Sequence, residues 1–536
     1  MAFIKPSADF FMIKFDHVTY IYPDGTKAID DLTLTIASGE RVALIGNNGS
    51  GKTTFALLIN GILKPTSGEI RVCGLNPSVE QDSRHLKQIV GMVFQNPDNQ
   101  LVSTTVEREV AFSLENLNVE QPKIAERVDR SLEFFGLSHM HRRLTSGLSG
   151  GEKQKLALAA VMISEPEILM LDEPGSYLDE SGKKLLGAAV RKLLEHKSDL
   201  TVLRITQYDY VAEGYGRVIV FREGGVLADG SPQEIFSQVA LCLSVGLDVP
   251  LRYRIKAEIG FPKDKPMVES INQGLAEKPK GISLNSVWFA YGNRKDNALF
   301  QGINLSIESN CIYGLVGCSG SGKSTLIQLL AGLLKPDKGT VQYSNFKPGP
   351  GAVAISFQHP ERQFFLPTVD REIKFAAENM HLPEIEALAD DSYRLIGLTR
   401  EKFAGRDPFT LSGGEKRRLA FGTILSMTPA FIFFDEPTCG LDADGVARFV
   451  EMVGKLRSKG TGIIIISHYG NIILRLADRI IALKDGAIEC MTGKKDFFRR
   501  HDYSAYLSCP EIISYQNEQL GEWRFLTESE LASIIT

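Results

Sequence analysis

Two segments of the sequence contain the residue types of a phosphate-binding loop. Each has a glycine, four variable residues, a second glycine, a lysine and a hydroxyl residue, between a predicted strand and a predicted helix. The glycines allow backbone N–H groups to surround a phosphate, the helix N-terminus adds positive partial charge, and the lysine neutralises the β- and γ-phosphate oxygens. The hydroxyl group is a ligand for Mg²⁺. The first segment comprises Gly46, Asn47, Asn48, Gly49, Ser50, Gly51, Lys52, Thr53 and Thr54, and the second comprises Gly317, Cys318, Ser319, Gly320, Ser321, Gly322, Lys323, Ser324 and Thr325.

Two adjacent acids end an apolar strand in each half of the chain, Asp172 with Glu173 and Asp435 with Glu436. The aspartate can hold Mg²⁺ through its water shell, and the glutamate can polarise an attacking water molecule. An acidic pair that closes a strand is also compatible with a solvated turn. The recurrence of the pair downstream of a phosphate loop favours the metal and base functions.

A Leu-Ser-Gly-Gly-Glu string opens a predicted helix in each half, at residues 148–152 and 411–415. Serine and two glycines at a helix start can form a second anion-binding surface, one without a lysine. The alternative is an ordinary helix N-cap. If both surfaces bind phosphate, two copies facing head to tail would hold each nucleotide between the glycine loop of one copy and this string of the other. The residues concerned are Ser149, Gly150 and Gly151, and Ser412, Gly413 and Gly414.

The second half of the chain repeats the first, and this repetition predicts the architecture. The string FQNPDNQ at 94–100 recurs as FQHPERQ at 357–363, and LDEP recurs as FDEP. Within each copy, short β-branched runs alternate with helix-like segments, which predicts an α/β layered domain. We expect copy one over 12–231, a helical extension and linker over 232–280, copy two over 281–495, and a tail over 496–536.

The composition excludes several other classes of protein. The chain has 536 residues, 43% of them hydrophobic, and its 60 Lys and Arg nearly balance its 65 Asp and Glu. Without a long block of one charge, general nucleic-acid binding is not expected. No apolar run approaches the roughly 18 residues of a membrane span, and the start MAFIKPSADF lacks the pattern of a secretory signal. Seven cysteines without CxxC pairs predict a reducing cytosol and argue against zinc or iron–sulfur sites.

These motifs together resemble the ATPase domains of ATP-binding cassette (ABC) transporters, once in each half. The resemblance covers nearly the whole chain outside the linker and the tail. It implies two tandem P-loop NTPase domains, each with a helical subdomain that carries the signature string, and it implies ATP and Mg²⁺ as cofactors. By position, Tyr22 and Tyr291 would stack on adenine, Gln95 and Gln358 would reach Mg²⁺ and the attacking water, Glu173 and Glu436 would be the catalytic bases, His468 would contact the γ-phosphate, and Asp179 and Asp442 would be the D-loop aspartates.

Copy one departs from the family pattern at the switch position. Copy two reads IISHYG there and copy one reads RITQYD, so Gln207 replaces the histidine. Glutamine can donate a hydrogen bond but cannot become cationic, so it should stabilise developing phosphoryl charge less well. We therefore predict unequal sites, with a harmless replacement by glutamine as the alternative. The slower site would combine Lys52, Glu173 and Gln207 with Ser412, and the faster site Lys323, Glu436 and His468 with Ser149.

A string after each predicted Gln loop indicates what the ATPase drives. Both copies carry Q-x-P-[DE]-x-Q and then an acidic helix-like segment, at 105–116 and 368–379. These acids could receive a basic partner helix or form a solvated face. The string resembles the ATPases of energy-coupling factor (ECF) importers, which take up vitamins and metal ions, as does VGLDVPLRYRIKAEIG at 245–260. The resemblance implies a transmembrane coupling protein and an integral membrane substrate-binding protein as partners, on the cytoplasmic side of the cell membrane.

Other twin-cassette ATPases are the alternatives. A fused ATPase of a sugar importer has a similar length, but its second copy is typically degraded, whereas copy two is the more complete one here. A ribosome-associated factor carries a long charged helical linker, and the polar segment here is short. DNA-repair cassette ATPases need zinc cysteines, which this sequence lacks.

Overall fold

The chain folds into two compact units, Met1–Ala257 and Glu258–Thr536. The boundary between them lies within the predicted extension and linker. The computed structural model describes residues 11–117, 119–176, 178, 180–257, 278–292, 298–357, 363–500, 502–521 and 530–531.

Two sheets form the framework of the first unit. The strands are β1 (Phe11–Ile21), β2 (Lys27–Ala37), β3 (Arg41–Gly46), β4 (Ser67–Val72), β5 (Val90–Val93), β6 (Ile168–Asp172), β7 (Thr201–Ile205), β8 (Arg217–Arg222) and β9 (Gly225–Gly230). The larger sheet has the order β5-β6-β7-β3-β8-β9 and is parallel except for its last, antiparallel pair. The smaller sheet, β2-β1-β4, is antiparallel. Every residue of β6 is buried, as expected for a parallel strand covered on both faces.

The helices of the first unit include a separate helical subdomain. They are α1 (Lys52–Ile59), α2 (Glu80–Ile89), α3 (Val106–Asn116), α4 (Gln121–Phe134), α5 (Gly150–Met162), α6 (Glu180–His196), α7 (Asp209–Ala212), α8 (Pro232–Phe236), α9 (Val239–Ser244) and α10 (Leu251–Lys256). Apolar residues four apart on α3, Val106, Val110 and Leu114, lie on one face and are buried. They pack in one core with residues of α4 and α5. Helix α5 begins within the signature string.

The second unit repeats this architecture. Its strands are β10 (Gly281–Phe289), β11 (Phe300–Glu308), β12 (Ile312–Val316), β13 (Lys338–Ser344), β14 (Val353–Ser356), β15 (Phe431–Asp435), β16 (Gly462–Ile466), β17 (Arg479–Lys484) and β18 (Ala487–Gly493). The sheet orders are β14-β15-β16-β12-β17-β18 and β11-β10-β13, which match the first unit strand for strand. The predicted α/β fold, made twice, is confirmed.

The helices of the second unit also follow the first. They are α11 (Lys323–Leu330), α12 (Val369–Asn379), α13 (Ile385–Ile396), α14 (Arg400–Phe403), α15 (Gly413–Leu425), α16 (Ala443–Ser458), α17 (Gly470–Leu476), α18 (Lys494–Arg499) and α19 (Glu511–Leu520). Helices α12, α13 and α15 share one core and form the helical subdomain.

Each unit continues past its last strand into a short helical extension. In the first unit, α8 and α9 occupy the segment whose apolar spacing predicts a helix; most of the predicted linker, 258–277, lies outside the described residues. In the second unit, the tail showed no clear pattern in the sequence, yet it packs on the domain. Leu507 and Ile513 are each 1% exposed and belong to the core that includes Ile472 and Ile473 of α17.

The structure adds two findings on membrane and metal chemistry. Within the described ranges, no helix has both the length and the apolar character that a bilayer span requires. The same ranges hold no group of three or more His, Cys, Asp or Glu side chains arranged to bind a metal, and the cysteines are free thiols.

Candidate nucleotide-binding sites

The glycine loop of the first unit connects the carboxyl end of β3 to the start of α1. Gly51 precedes the helix with a φ of 103°, and a Cβ there would lie 2.4 Å from the carbonyl oxygen of Ala28, so only glycine fits. Lys52 is buried, and its Nζ donates to the carbonyl oxygens of Gly46 at 2.7 Å and Asn47 at 2.9 Å. The ammonium group therefore lies inside the loop, where a phosphate would meet it together with the N–H groups of α1.

The second unit has the same loop geometry between β12 and α11. Lys323 is buried, and its Nζ donates to the carbonyl oxygens of Gly317 and Cys318, both at 2.8 Å. Gly322 occupies the position before the helix with a φ of 101°. The two predicted phosphate loops thus have equivalent conformations.

A hydroxyl group and a carboxylate meet beside each loop. Thr53 Oγ1 donates to Asp172 Oδ2 at 3.1 Å, and Ser324 Oγ donates to Asp435 Oδ2 at 2.7 Å. Burial, together with the adjacent charge of Glu173, raises the pKa of Asp172 to about 6, and burial also raises the pKa of Asp435. Hard oxygen donors of these two types suit Mg²⁺, and a cation there would favour the ionised carboxylate.

The two predicted catalytic glutamates share an unusual backbone conformation. Glu173 has a φ of 42° and Glu436 a φ of 48°, in the left-handed region that costs a non-glycine residue about 1–3 kcal/mol. Backbone hydrogen bonds hold the turn, since Glu173 N donates to Ile205 O at 3.1 Å and Glu436 N to Ile466 O at 3.0 Å. Such strain is characteristic of functional positions.

Three side chains donate to the carboxylate of Glu173 in the first unit. Gln207 Nε2 contacts both of its oxygens, at 2.7 and 2.8 Å, and Gln95 Nε2 donates to Oε2 at 3.2 Å. The third donor, Ser176 Oγ at 2.9 Å, is a residue that the sequence analysis did not single out. The structure therefore brings together the predicted Gln loop, acid and switch residue of copy one.

The corresponding acid of the second unit has different neighbours. His468 Nε2 lies 3.5 Å from Glu436 Oε1, which is longer than a good hydrogen bond. Cys439, which is buried, occupies the position that Ser176 has in the first unit. Gln358 and the D-loop Asp179 lie outside the described residues, whereas Asp442 is the N-cap of α16 and accepts from Gly445 N at 2.9 Å.

The predicted adenine-stacking tyrosines lie beside the loops. Tyr22 OH is 3.0 Å from Thr54 Oγ1, and Tyr291 OH is 3.1 Å from Thr325 Oγ1. Tyr291 is exposed, so its ring is accessible to a flat ligand.

The signature strings form capping boxes at the starts of α5 and α15. Ser149 N donates to the carboxylate of Glu152 at 2.7 Å while Ser149 Oγ accepts from Glu152 N, and Ser412 and Glu415 do the same. The helix N-cap interpretation is thus correct for both serines. An additional role in binding phosphate remains a prediction; it would use the N–H groups of Gly150, Gly151, Gly413 and Gly414 in the first turns.

A buried polar residue, two positions after each signature glutamate, donates hydrogen bonds to backbone carbonyl oxygens of the site. In the first unit Gln154 Nε2 donates to the carbonyl oxygens of Phe94 and Gln95, at 3.2 and 3.1 Å. In the second unit Arg417 Nη1 donates to the carbonyl oxygen of Glu436 at 2.6 Å. A polar residue in an otherwise buried stretch of helix is the signal by which the sequence could have identified both.

The acidic segments after the Gln loops use two of their acids internally. Glu109 of α3 is buried and accepts from Val102 N and Ser103 N, at 3.0 and 2.6 Å. Glu372 of α12 accepts in the same way from Phe365 N and its neighbour, both at 2.6 Å. For these two glutamates the expectation of a solvent-facing acidic surface is wrong, because backbone N–H groups of the preceding loop need an acceptor.

Large apolar side chains are also exposed on these helices and just before them. Val102 and Phe365 occupy equivalent positions before the helices and are 65% and 62% exposed. Phe112 of α3 and Phe375 of α12 are also equivalent and exposed, and the rings of Phe365 and Phe375 pack edge to face at 4.8 Å. Each unit therefore exposes two large apolar side chains after its Gln loop in the sequence, and we call each pair an apolar patch.

Comparison with known proteins identifies the family. The family model for the ABC transporter matches residues 29–176 and 300–439. A protein named "Putative ABC transporter ATP-binding protein" from Caldanaerobacter subterraneus subsp. tengcongensis is 33% identical, over 94% of this chain and 95% of its own. "Putative HMP/thiamine import ATP-binding protein YkoD" of Bacillus subtilis is 31% identical, over 88% of this chain and 90% of its own.

Among solved structures, cbiO1 from Clostridium perfringens, described as part of the ABC transporter complex cbiONQ, has 33% sequence identity and a TM-score of 0.40, covering 46% of this chain and 98% of that chain. One family match lies within each of the two units that contain the glycine loops. The resemblance found in the sequence is confirmed. The chain belongs to the ABC transporter ATPases, carries two ATPase domains in one polypeptide, and couples ATP hydrolysis to transport.

Proposed function

We propose that this chain is the ATP-hydrolysing subunit of an ECF-type importer for a vitamin, a metal ion or a similar micronutrient. The observation that carries the proposal is the similarity to YkoD, named for HMP/thiamine import, over nearly the full length of both chains. The repeated Q-x-P-[DE]-x-Q string, followed in both halves by an apolar patch, supports it. On this proposal the chain is peripheral, on the cytoplasmic side of the cell membrane.

On this proposal, the side chains described in the two loops and beside them carry out ATP hydrolysis. Lys52 and Lys323 neutralise the β- and γ-phosphates, while the hydroxyl–carboxylate pairs at Thr53 and Ser324 hold Mg²⁺. Mg²⁺ held by these residues would neutralise the charge that develops on the phosphate oxygens. Glu436 orients the attacking water and takes its proton, and His468 donates to the γ-phosphate.

The sites are proposed to be composite and unequal. Each domain has one lysine-bearing loop and one signature string, so the signature of one domain completes the loop of the other, Ser149 with Lys323 and Ser412 with Lys52. The two short hydrogen bonds from Gln207 to Glu173, compared with 3.5 Å between His468 and Glu436, support a slower first site. Gln207 must release both oxygens of that carboxylate before it can reach a γ-phosphate, and this rearrangement opposes catalysis.

The apolar patches are proposed to receive the transmembrane coupling protein. Residues Val102, Phe112, Phe365 and Phe375 are all exposed, and Val102 and Phe365 each follow the glutamine of the Gln loop by seven residues in the sequence. A partner helix with apolar residues at i, i+3 and i+4 would fit such a surface. The integral membrane substrate-binding protein would join through that coupling protein.

The test is recovery of the tagged full-length chain from detergent-solubilised membranes of its native cell, with mass spectrometry of co-purifying proteins. We expect a multi-spanning protein and a small integral binding protein. Phe375→Asp should reduce their recovery several-fold, because a charge is placed in an apolar interface, while the control Leu227→Asp, at another exposed apolar position, should not.

Two other outcomes would identify the alternatives. Recovery of ribosomes without membrane proteins would contradict the proposal in favour of a soluble twin-cassette factor. Recovery of a multi-spanning permease with no small integral binding protein would indicate a conventional sugar-type importer.

A further inference from the structure

The C-terminal extension of the second unit contacts the loop that carries His468. Backbone groups of His468 and Gly470, the two residues that flank Tyr469, both bind Ser508 of the extension. Ser508 N donates to the carbonyl oxygen of His468 at 3.0 Å, and Gly470 N donates to Ser508 Oγ at 2.9 Å. Ser508 thus binds the loop both before and after Tyr469.

Close packing reinforces these hydrogen bonds. A Cβ at Gly470 would lie 2.1 Å from the carbonyl oxygen of Ser508 and 2.9 Å from atoms of Leu507 and Pro510, so the approach requires glycine at that position. Next to it, Asn471 Oδ1 accepts from Glu511 N at 2.8 Å, at the start of α19. The first turn of α17 and the first turn of α19 are therefore joined by polar contacts and by buried Leu507.

The same extension also reaches the glycine loop. Cys318 Sγ donates to the carbonyl oxygen of Ala505 at 3.2 Å, three residues before Ser508. One short segment thus touches the phosphate loop and the switch loop of the second unit. In the first unit a Cβ at Gly246 of the extension would lie 2.7 Å from the side chain of Asn47, the counterpart of Cys318, so the approach recurs there.

The extension of the first unit differs at the matching position. Leu-x-x-Pro occurs in both extensions, as residues 247–250 and 507–510, and this alignment pairs Asp248 with Ser508. Asp248 is exposed, and its Oδ1 accepts from the N–H of the next residue, Val249, at 3.0 Å. The unit with the switch histidine has the bridging serine, and the unit with Gln207 does not.

We propose that Ser508 is a positioning residue, which holds the backbone of His468 so that the imidazole faces Glu436 and the γ-phosphate. A switch residue works by placing a donor against developing charge, and small displacements of such a group reduce its effect strongly. The inference rests on the proposed catalytic role of His468. Ser508 itself touches neither nucleotide nor water in this mechanism.

The test compares steady-state ATP hydrolysis by the full-length chain and its variants. Ser508→Ala should lower kcat about fivefold, the effect of one lost hydrogen bond, while KM for ATP stays within about twofold. Ser508→Thr keeps the hydroxyl acceptor and should restore most of the rate. The matched control, Asp248→Ala in the first unit, should leave kcat unchanged.

A double-mutant cycle separates positioning from general stability. If Ser508 acts through the histidine, His468→Ala with Ser508→Ala should be no slower than His468→Ala alone. Equal losses in both backgrounds, an unchanged kcat in Ser508→Ala, or failure of Ser508→Thr to recover activity at a normal melting temperature would each overturn the inference. A wild-type rate in His468→Ala would instead contradict the proposed role of the histidine, and the inference with it.

Discussion

At the scale of single residues, the two glutamates proposed to be catalytic have the same backbone strain but differ in how closely the switch residue approaches them. The two switch residues lie at different distances from these acids: Gln207 Nε2 donates to both oxygens of Glu173 at 2.7 and 2.8 Å, whereas His468 Nε2 lies 3.5 Å from Glu436 Oε1. Neither the strain nor the partners can be inferred from the Asp-Glu pairs in the sequence. The shorter contacts of Gln207 support the proposed asymmetry of the two sites.

Substitution of each glutamate tests this asymmetry. Glu436→Gln should lower total ATP turnover about 100-fold or more while ATP binding persists, because a general base contributes about 10²–10⁴-fold. Glu173→Gln should lower turnover less than about twofold, since its site carries little of the flux. Steady-state hydrolysis and equilibrium binding of a fluorescent ATP analogue measure both effects. The reverse ranking would show that the first site is the active one.

The buried carboxyl group of Asp172 predicts a pH dependence of stability. Its pKa of about 6 exceeds the ordinary value of 3.8, so ionisation is less favourable in the folded protein than in the unfolded chain. The folded state is therefore most stable, as far as this group is concerned, below about pH 4, where Asp172 is protonated in both states. As the pH rises through about 6 this contribution is lost, and the free energy of unfolding falls by about 3 kcal/mol in total.

Removal of that group should remove this part of the pH dependence. We expect the thermal unfolding midpoint of Asp172→Asn, without Mg²⁺ or nucleotide, to equal or exceed that of the wild type at pH 7.5. The exposed control Asp199→Asn should behave as the wild type between pH 4 and 7.5. A lower midpoint for Asp172→Asn at pH 7.5 would contradict the raised pKa.

At the scale of elements, α3 and α12 each fix the loop that precedes them. The buried carboxylate of Glu372 accepts two backbone N–H groups, whereas Glu378 on the same helix is exposed. Glu372→Ala should therefore lower the free energy of unfolding by about 2 kcal/mol, because two partly buried backbone N–H groups lose a charged acceptor. Glu378→Ala should change it by less than about 0.5 kcal/mol. Denaturant unfolding measures both, and equal effects would refute a special role for the buried acid.

The elements also show how far the sequence alone could lead. The phosphate loops and the capped starts of α5 and α15 depend on residues within a few positions of one another, and the sequence predicts them. Contacts that join distant segments, such as Ser508 with Gly470, leave no local pattern. The burial of Glu109 and Glu372 is hidden from the sequence for a related reason. The periodicity of α12 is visible, but the backbone groups that require Glu372 belong to the loop before it.

At the scale of the whole molecule, the proposed pairing of signature and loop can be tested by crossing substitutions. If the proposed pairing is right, Ser149→Arg should lower turnover at least about tenfold, because Ser149 would complete the site of Lys323, and Ser412→Arg should have a much smaller effect. When Glu436→Gln is already present, Ser149→Arg should cause little further loss. Steady-state ATP turnover of the single and double variants tests which signature string completes which glycine loop. A larger loss from Ser412→Arg would indicate that each domain uses its own signature.

Both ATPase domains lie on one polypeptide, and this arrangement has a consequence for how they could change over generations. In an assembly of two identical chains, a replacement such as Gln207 would enter both sites at once. Here every molecule has one copy of each half in a fixed ratio, so a substitution in one half is always accompanied by an unaltered other half. The single polypeptide thereby allows the residues of one site to change, or to acquire another function, while the other site continues to drive transport.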